Sequence, residues 1–189
     1  MNYLEIIGTA VGLLYLYWEY RASAWLWVAS IAMPAIYLDV YYQAGLYADF
    51  GISIYYILAS VYGLGCWLAG SNHKESRERK PLPIIHTPRS LYPALTAAFA
   101  MAFVIIGLIL SRWTDSNVPW ADAFTTALSI VAMWMLARKY IEQWLVWIAA
   151  DIACSALYLY KDLPFTSGLY LAYAIVAVLG YQKWKRMIT

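Results

Sequence analysis

Residues Trp144–Tyr160 read WLVWIAADIACSALYLY, with a single charge, Asp151, near the middle. At roughly 100° per residue, a helix places five side chains within about 80° of arc: Trp144, Trp147, Asp151, Ser155 and Tyr158. The other faces are apolar. A carboxylate in the middle of a membrane span costs about a few kcal/mol and is tolerated mainly where it faces protein or water. The stretch therefore predicts a membrane helix with a cation-binding site; a hydrogen bond from Asp151 to a neighbouring helix is the structural alternative.

The composition is that of an integral membrane protein. Of 189 residues, 63% are apolar and 13% are charged, and the mean hydropathy is +0.58. Apolar runs near the roughly 20 residues that cross a bilayer recur along the whole chain, which excludes a soluble domain behind a signal peptide. Seven spans are predicted, at 3–20, 24–43, 49–69, 91–111, 120–137, 144–160 and 164–183.

The basic residues predict how these spans are oriented. Lys and Arg concentrate on the cytoplasmic side of membrane proteins. If the N-terminus lies outside, 11 of the 13 Lys and Arg residues fall inside, and only Arg112 and Lys161 fall outside. We therefore expect an outer N-terminus and a cytoplasmic C-terminus.

One extended polar stretch, SNHKESRERKPLPIIHTPRS (71–90), predicts a cytoplasmic linker between two halves, with binding of lipid head groups as an alternative. His73 and His86 lie in it without companions at metal-ligand spacing, so we expect solvated histidines. Cys66 and Cys154 lie in apolar spans and are expected to be packing residues. No metal site, catalytic residue or cofactor is predicted.

The chain aligns with itself at an offset of 117 residues. Thirteen positions are identical between 5–67 and 122–184, among them Arg21/Arg138, Trp27/Trp144, Tyr56/Tyr173, Gly63/Gly180 and Trp67/Trp184. Such self-similarity indicates a structural repeat. The predicted fold is an all-α membrane protein of seven transmembrane helices. Two parallel three-helix units, 1–69 and 120–189, are joined by 70–119, which holds the linker and a connecting helix (3+1+3).

The repeat also guides the choice of site residues. Small and aromatic side chains share one face of spans three and seven, which predicts either a packing seam or a lumen. Pro34 stands where Asp151 stands in the second repeat, so the predicted site is asymmetric. The predicted substrate-binding residues are Asp151, Trp147, Ser155, Tyr56, Tyr173, Ser53, Trp134, Tyr170, Trp144 and Tyr37.

Two stretches, Gly45–Trp67 with its LYAD pattern and Arg138–Trp184 with WLxWIxxD, resemble the Pnu family of bacterial vitamin transporters. The resemblance implies a SWEET-like fold of two parallel bundles around a central site in the bacterial inner membrane. It also implies facilitated diffusion by alternating access, with a cytosolic kinase trapping the vitamin by phosphorylation. No sequence resembles an ATP-binding loop.

The resemblance leaves the substrate to be chosen between two cationic vitamins. Nicotinamide-riboside-type members carry Asn in span two and Gln or Asn in span three, where this chain has Ser53, and no Asn lies within any predicted span. MPAIY and the Tyr-rich span three are more similar to the thiamine-type branch, PnuT. We therefore expect thiamine, with nicotinamide riboside as the alternative. Both carry a fixed positive ring, which suits Asp151 and aromatic faces.

Other classes fit less well. A retinal photoreceptor needs a Lys in the middle of the last span, and an intramembrane enzyme needs paired catalytic groups. Neither is present in the sequence. A structural membrane subunit without a small-molecule ligand stays open as an alternative. The expected partners are the vitamin and the lipid bilayer, with no nucleic acid; assembly as a homo-oligomer is left open.

Overall fold

The structure, a computed structural model, describes residues 3–43, 47–70, 82–114 and 116–188. It is all-helical apart from one isolated backbone bridge. The helices are α1 (Tyr3–Tyr20), α2 (Trp25–Gln43), α3 (Tyr47–Ala69), α4 (Tyr92–Trp113), α5 (Pro119–Ala137), α6 (Gln143–Tyr160) and α7 (Pro164–Met187). Each predicted span overlaps one of them, because long apolar runs in a membrane favour helices whose backbone groups are satisfied within the segment.

Five stretches within the described residues are long and apolar enough to cross a bilayer: Phe50–Ala69, Arg89–Trp113, Pro119–Ala137, Gln143–Tyr160 and Pro164–Met187. Their lengths of 18 to 25 residues match the thickness of the hydrocarbon core. The protein is thus a multi-pass membrane protein.

The chain divides into two compact units, Met1–Pro83 and Ile84–Thr189. In unit 1, α2 packs against both α1 and α3; in unit 2, α4 to α7 each pack against the next helix along the chain. The predicted connecting helix, α4, lies against α5. A side chain at Gly107 would come within 2.4 Å of the Trp120 ring, so the glycine allows the close approach of these two helices.

The same cluster of two tryptophans and one glycine, called here the tryptophan cluster, occurs in each unit. In unit 1, the ring of Trp27 meets Trp67 edge-on, with centroids 5.7 Å apart at 89°, and lies over Gly63. In unit 2, the residues 117 positions later meet at 5.6 Å and 90°: Trp144, Trp184 and Gly180. Edge-to-face packing is a favourable arrangement of aromatic rings. The repeat thus preserves packing as well as sequence.

The turns between the first two helices of each repeat also match. Ala22 and Lys139, 117 residues apart, have left-handed backbones with φ of 52° and 53°. In both turns this residue donates its N–H at 2.9 Å to the carbonyl three residues earlier, Glu19 and Leu136 respectively. A left-handed conformation is uncommon for residues other than glycine. Its recurrence therefore indicates that both turns have the same backbone conformation.

The polar linker is described only from residue 82 onward. We expected a solvated His86. Its side chain is indeed mostly exposed, but its Nδ1 lies 2.7 Å from Oε1 of Glu142. His86 is therefore a hydrogen-bonded residue; sequence spacing could not indicate this because Glu142 is 56 positions away.

Candidate functional site

Asp151 lies near the middle of α6 with only 7% of its surface exposed. Within the described residues, no hydrogen bond or ion pair reaches its carboxylate. A carboxylate withdrawn from solvent without a partner carries a desolvation cost that an approaching cation or hydrogen-bond donor would offset. This arrangement makes Asp151 the chemical centre of the candidate site.

A row of tyrosines leads along α6 and α7 toward this carboxylate. Tyr158 and Tyr170 stack with centroids 5.2 Å apart and planes only 10° from parallel. Tyr170 then meets Tyr173 edge-on at 5.7 Å, and Tyr173 lies within range of the charge of Asp151. The predicted residues Asp151, Tyr170 and Tyr173 are thus brought together. Aromatic faces beside an anion suit a flat cation.

One face of α6 carries further polar atoms that have no hydrogen-bond partner within the described residues. They are Nε1 of Trp147, Nε1 of Trp144 and both amide atoms of Gln143, which is fully buried. Gln143, Trp147 and Asp151 follow one another at intervals of four residues, so they share a face. Buried polar groups normally have a partner. This stripe can therefore accept hydrogen bonds from a polar ligand and donate them to it.

Gln143 was absent from the predicted set. The predicted span begins at Trp144, one residue later than the helix itself. The signal that could have found it is its spacing, since Gln143 lies one turn before Trp147 on the face that carries Asp151.

Ser155, a predicted binding residue, already has a protein partner. Its Oγ lies 2.9 Å from Oγ of Ser167 on α7, and the Ser167 hydroxyl also donates to the Ser155 carbonyl at 2.8 Å. Both serines are buried. The pair connects α6 to α7, and Ser167 was missed because no pattern in the sequence links positions on different helices.

Two predicted tryptophans lie in packing positions. Trp144 is fully buried, and its ring fills the space beside Gly180. Trp134 packs near the end of α5 against Tyr140, with the Arg138 guanidinium 5.6 Å above its ring. The helical wheel placed Trp144 beside Asp151, but α7 covers it. Both rings therefore take part in packing, and contact of either with a ligand stays a prediction.

The remaining predicted residues belong to unit 1. Ser53 is buried and Tyr56 is half-buried on α3, where Tyr56 meets Tyr55 edge-on at 5.7 Å. The side chain of Tyr37 lies outside the described residues. Participation of these three residues in the site of unit 2 stays a prediction.

A polar cluster joins the N-terminal end of α5 to the C-terminal end of α6. Lys161 Nζ lies 2.8 Å from Oδ1 of Asp122, and Ser116 donates to Oδ2 at 2.7 Å. Lys161 also lies 5.9 Å from the centroid of Tyr158. The tyrosine row therefore begins beside the ion pair of Lys161 and Asp122 and ends within range of Asp151, whose carboxylate has no hydrogen-bond or ion-pair partner within the described residues.

Comparison with known proteins shows similarity to membrane transporters. The nicotinamide riboside transporter PnuC of Escherichia coli is 20% identical over 97% of this chain and 85% of its own length. The riboflavin/roseoflavin transporter RibM of Streptomyces davaonensis is 24% identical over 95% of this chain and 83% of its own. The crystal structure of the vitamin B3 transporter PnuC superposes with a TM-score of 0.68, covering 94% of this chain and 78% of that one at 20% identity, so the fold is shared.

The predicted membership of the Pnu family is confirmed. The family model described as nicotinamide mononucleotide transporter matches residues 2–186, nearly the entire chain. Together with the PnuC relatives and the shared fold, this match shows that the chain belongs to the nicotinamide mononucleotide transporter family, which includes PnuC.

Proposed function

We propose that this protein transports nicotinamide riboside across the membrane. The observation that carries the proposal is the buried carboxylate of Asp151, which has no hydrogen-bond or ion-pair partner within the described residues and lies within range of Tyr173, the last of a row of packed tyrosines. The pyridinium ring of nicotinamide riboside is flat and permanently positive, so it can pair with the carboxylate and lie against the aromatic faces. A cation on an aromatic face gains about 0.5 to 2 kcal/mol, with the larger values where water is excluded.

The choice of nicotinamide riboside replaces our first expectation, thiamine. The relatives described above transport nicotinamide riboside or riboflavin, which favours the alternative reading of the sequence. A shortage of amide side chains in the predicted spans counted against a riboside as the substrate. Gln143 supplies one: both its amide atoms are buried without a protein partner within the described residues, so it can bind ribose hydroxyls or the carboxamide of nicotinamide.

The transport cycle we propose follows the predicted 3+1+3 organisation, with an outer N-terminus. Two like-oriented bundles expose the site alternately to the two sides, and the substrate moves down its own gradient. Phosphorylation by a cytosolic kinase would add negative charge and so prevent exit. The cycle needs no covalent step on the protein.

Calorimetric binding to the purified protein tests the proposal. Nicotinamide riboside is compared with thiamine, with uncharged nicotinamide and with riboflavin. We expect nicotinamide riboside to bind most tightly, and Asp151→Asn to weaken it at least about tenfold, equivalent to about 1.4 kcal/mol. Asp162→Asn is a matched control, because it removes the same charge at an exposed position beyond α6 whose φ of 57° suits Asn.

Each outcome has a distinct meaning. Unchanged affinity in Asp151→Asn would remove this carboxylate from the site. Tighter binding of thiamine than of nicotinamide riboside would return the assignment to our first expectation, and equal binding of riboflavin would refute the argument from charge. If no vitamin bound, the alternative of a structural subunit would be favoured.

Gln143→Leu tests the proposed role of the amide. It preserves much of the side-chain volume but removes both polar atoms. Since a substrate hydroxyl or amide would then lose a buried partner, we expect nicotinamide riboside to bind more weakly by about tenfold, while thiamine, which has no ribose or carboxamide, changes less. Equal losses for both ligands would contradict this role.

A further inference from the structure

A short segment before α4, residues 84–87, lies along the turn that connects α5 to α6. We refer to it as the strap. The backbone N–H of Ile85 donates to the carbonyl of Lys139 at 3.2 Å, and the N–H of Ile141 donates to the carbonyl of Ile85 at 3.0 Å. These two bonds form an isolated parallel bridge between Ile85 and Tyr140.

The carboxylate of Glu142 fastens the strap at its other end. Oε1 lies 2.7 Å from His86 Nδ1, and Oε2 accepts both the backbone N–H and the hydroxyl of Thr87, each at 2.7 Å. Thr87 is buried, and the Glu142 side chain is only 17% exposed. Burial acts to raise the pKa of the Glu142 carboxyl, but the hydrogen bonds from His86 and Thr87 outweigh it and lower the pKa below its usual value. The charged form is therefore the one that the strap stabilises.

Glu142 is placed where it can fix the start of α6. It is the residue immediately before the helix, and no side-chain hydrogen bond caps the helix there. The next residue is Gln143, which begins the polar stripe that continues through Trp147 to Asp151. A change in the hydrogen bonds that Glu142 makes at the first turn of α6 would therefore change the direction of the side chains that form the candidate site.

Within its described residues, the first repeat shows no equivalent of these hydrogen bonds. The position 117 residues before Glu142 is Trp25, which has no carboxylate and is largely exposed. Both turns share the left-handed residue described above, so the turn itself does not need the strap. The strap contacts the second repeat, which is the repeat that contains Asp151.

We propose that Glu142 is a positioning residue: by clamping the strap it orients the first turn of α6, and with it the polar stripe, for substrate binding. This inference rests on the proposed function. It assigns to Glu142 and Thr87 an effect on affinity, although neither side chain belongs to the stripe.

The test measures affinity and stability separately in four full-length single variants and one double variant. Glu142→Gln removes the charge, Thr87→Val removes one donor while keeping the shape, and Thr87→Ser restores that donor. Thr96→Val, at an exposed position on α4, is the matched control. For each, calorimetry gives the Kd for nicotinamide riboside well below the melting temperature, and thermal unfolding gives Tm.

We expect Glu142→Gln to raise Kd by about five- to tenfold, in the range typical of coupling between sites. Thr87→Val should raise it less, whereas Thr87→Ser and Thr96→Val should leave it unchanged. The double variant Glu142→Gln/Thr87→Val should bind about as weakly as Glu142→Gln alone, because both substitutions break the same contact.

A fall in Tm with an unchanged Kd would show that the clamp serves stability alone and would overturn the inference. If Glu142→Gln does not fold, Thr87→Val decides, and an unchanged Kd in that variant overturns the inference equally. Failure of the unmodified protein to bind nicotinamide riboside would overturn the proposed function and this inference with it. Normal binding by the unmodified protein and by Glu142→Gln would leave the proposed function standing and remove only the inference.

Discussion

Gly180→Ala is the perturbation whose effect follows most directly from the structure. A Cβ at position 180 would lie 2.6 Å from Cη2 and 2.7 Å from Cζ2 of Trp144. The Trp144 ring is fully buried and packs edge-on against Trp184. It cannot rotate away without breaking that contact. The added methyl group must therefore push α6 and α7 apart.

Two opposing effects set the magnitude. Replacing a glycine inside a helix by alanine favours the helix by about 1 kcal/mol. Overpacking a tight contact costs about 1 to 3 kcal/mol, and the contact here is shorter than a real Cβ tolerates. The upper half of that range applies, which leaves a net loss of about 1 to 2 kcal/mol. For a chain of this size, the loss corresponds to a Tm lower by about 2 to 8 °C.

Thermal unfolding of the purified variants in detergent measures this effect, and Gly168→Ala on the same helix is the control. Nothing lies within 4 Å of a Cβ at Gly168, so only the gain in helix propensity remains and Tm should stay level or rise. In unit 1, Gly63→Ala should behave like Gly180→Ala, since its Cβ would lie 2.3 Å from Trp27. A Tm for Gly180→Ala equal to that of Gly168→Ala would refute the packing role of the tryptophan cluster.

Three further predictions concern contacts within unit 2. Ser167→Ala removes both hydrogen bonds to Ser155 and should lower the free energy of unfolding by about 1 to 3 kcal/mol, as measured by thermal unfolding, with little change in ligand affinity. Because the pKa of Glu142 is lowered from 4.5 in the folded protein, its contribution to stability is fully present above that pH and is lost as the pH falls below it; Tm scans against pH should show this loss, and Glu142→Gln should flatten it. Lys161→Met breaks the partly exposed pair with Asp122 and should change unfolding by only about 0 to 1 kcal/mol; a larger loss would mean that the pair closes part of the site.

The helices and the buried charge in α6 could be predicted from the sequence because both depend on local properties. The apolar runs predicted where each helix lies, since a membrane helix must satisfy its backbone groups within its own segment. Asp151 was singled out because one charge interrupts an apolar stretch, and its burial agrees with that expectation. The offset of 117 residues predicted that the two units correspond, and the two tryptophan clusters and the two left-handed turns agree with this.

The roles of individual side chains within the site could not be predicted in this way. Trp144 and Trp147 look equivalent on a helical wheel, and each has a buried N–H without a hydrogen-bond partner within the described residues. The difference lies in the ring of Trp144, which packs against Trp184 and over Gly180 of α7. Ser155 looked available until Ser167 was brought against it from another helix.

What the sequence determined by itself is therefore the membrane class, the course of the helices, the repeat and the lone carboxylate, because each follows from the order of residues along one segment. Only the tertiary structure decided which polar atoms on α6 stay unpaired and that Glu142 clamps the strap through His86 and Thr87. Those contacts join positions 55 and 56 residues apart. Their partners are chosen by the packing of helices, which no local pattern encodes.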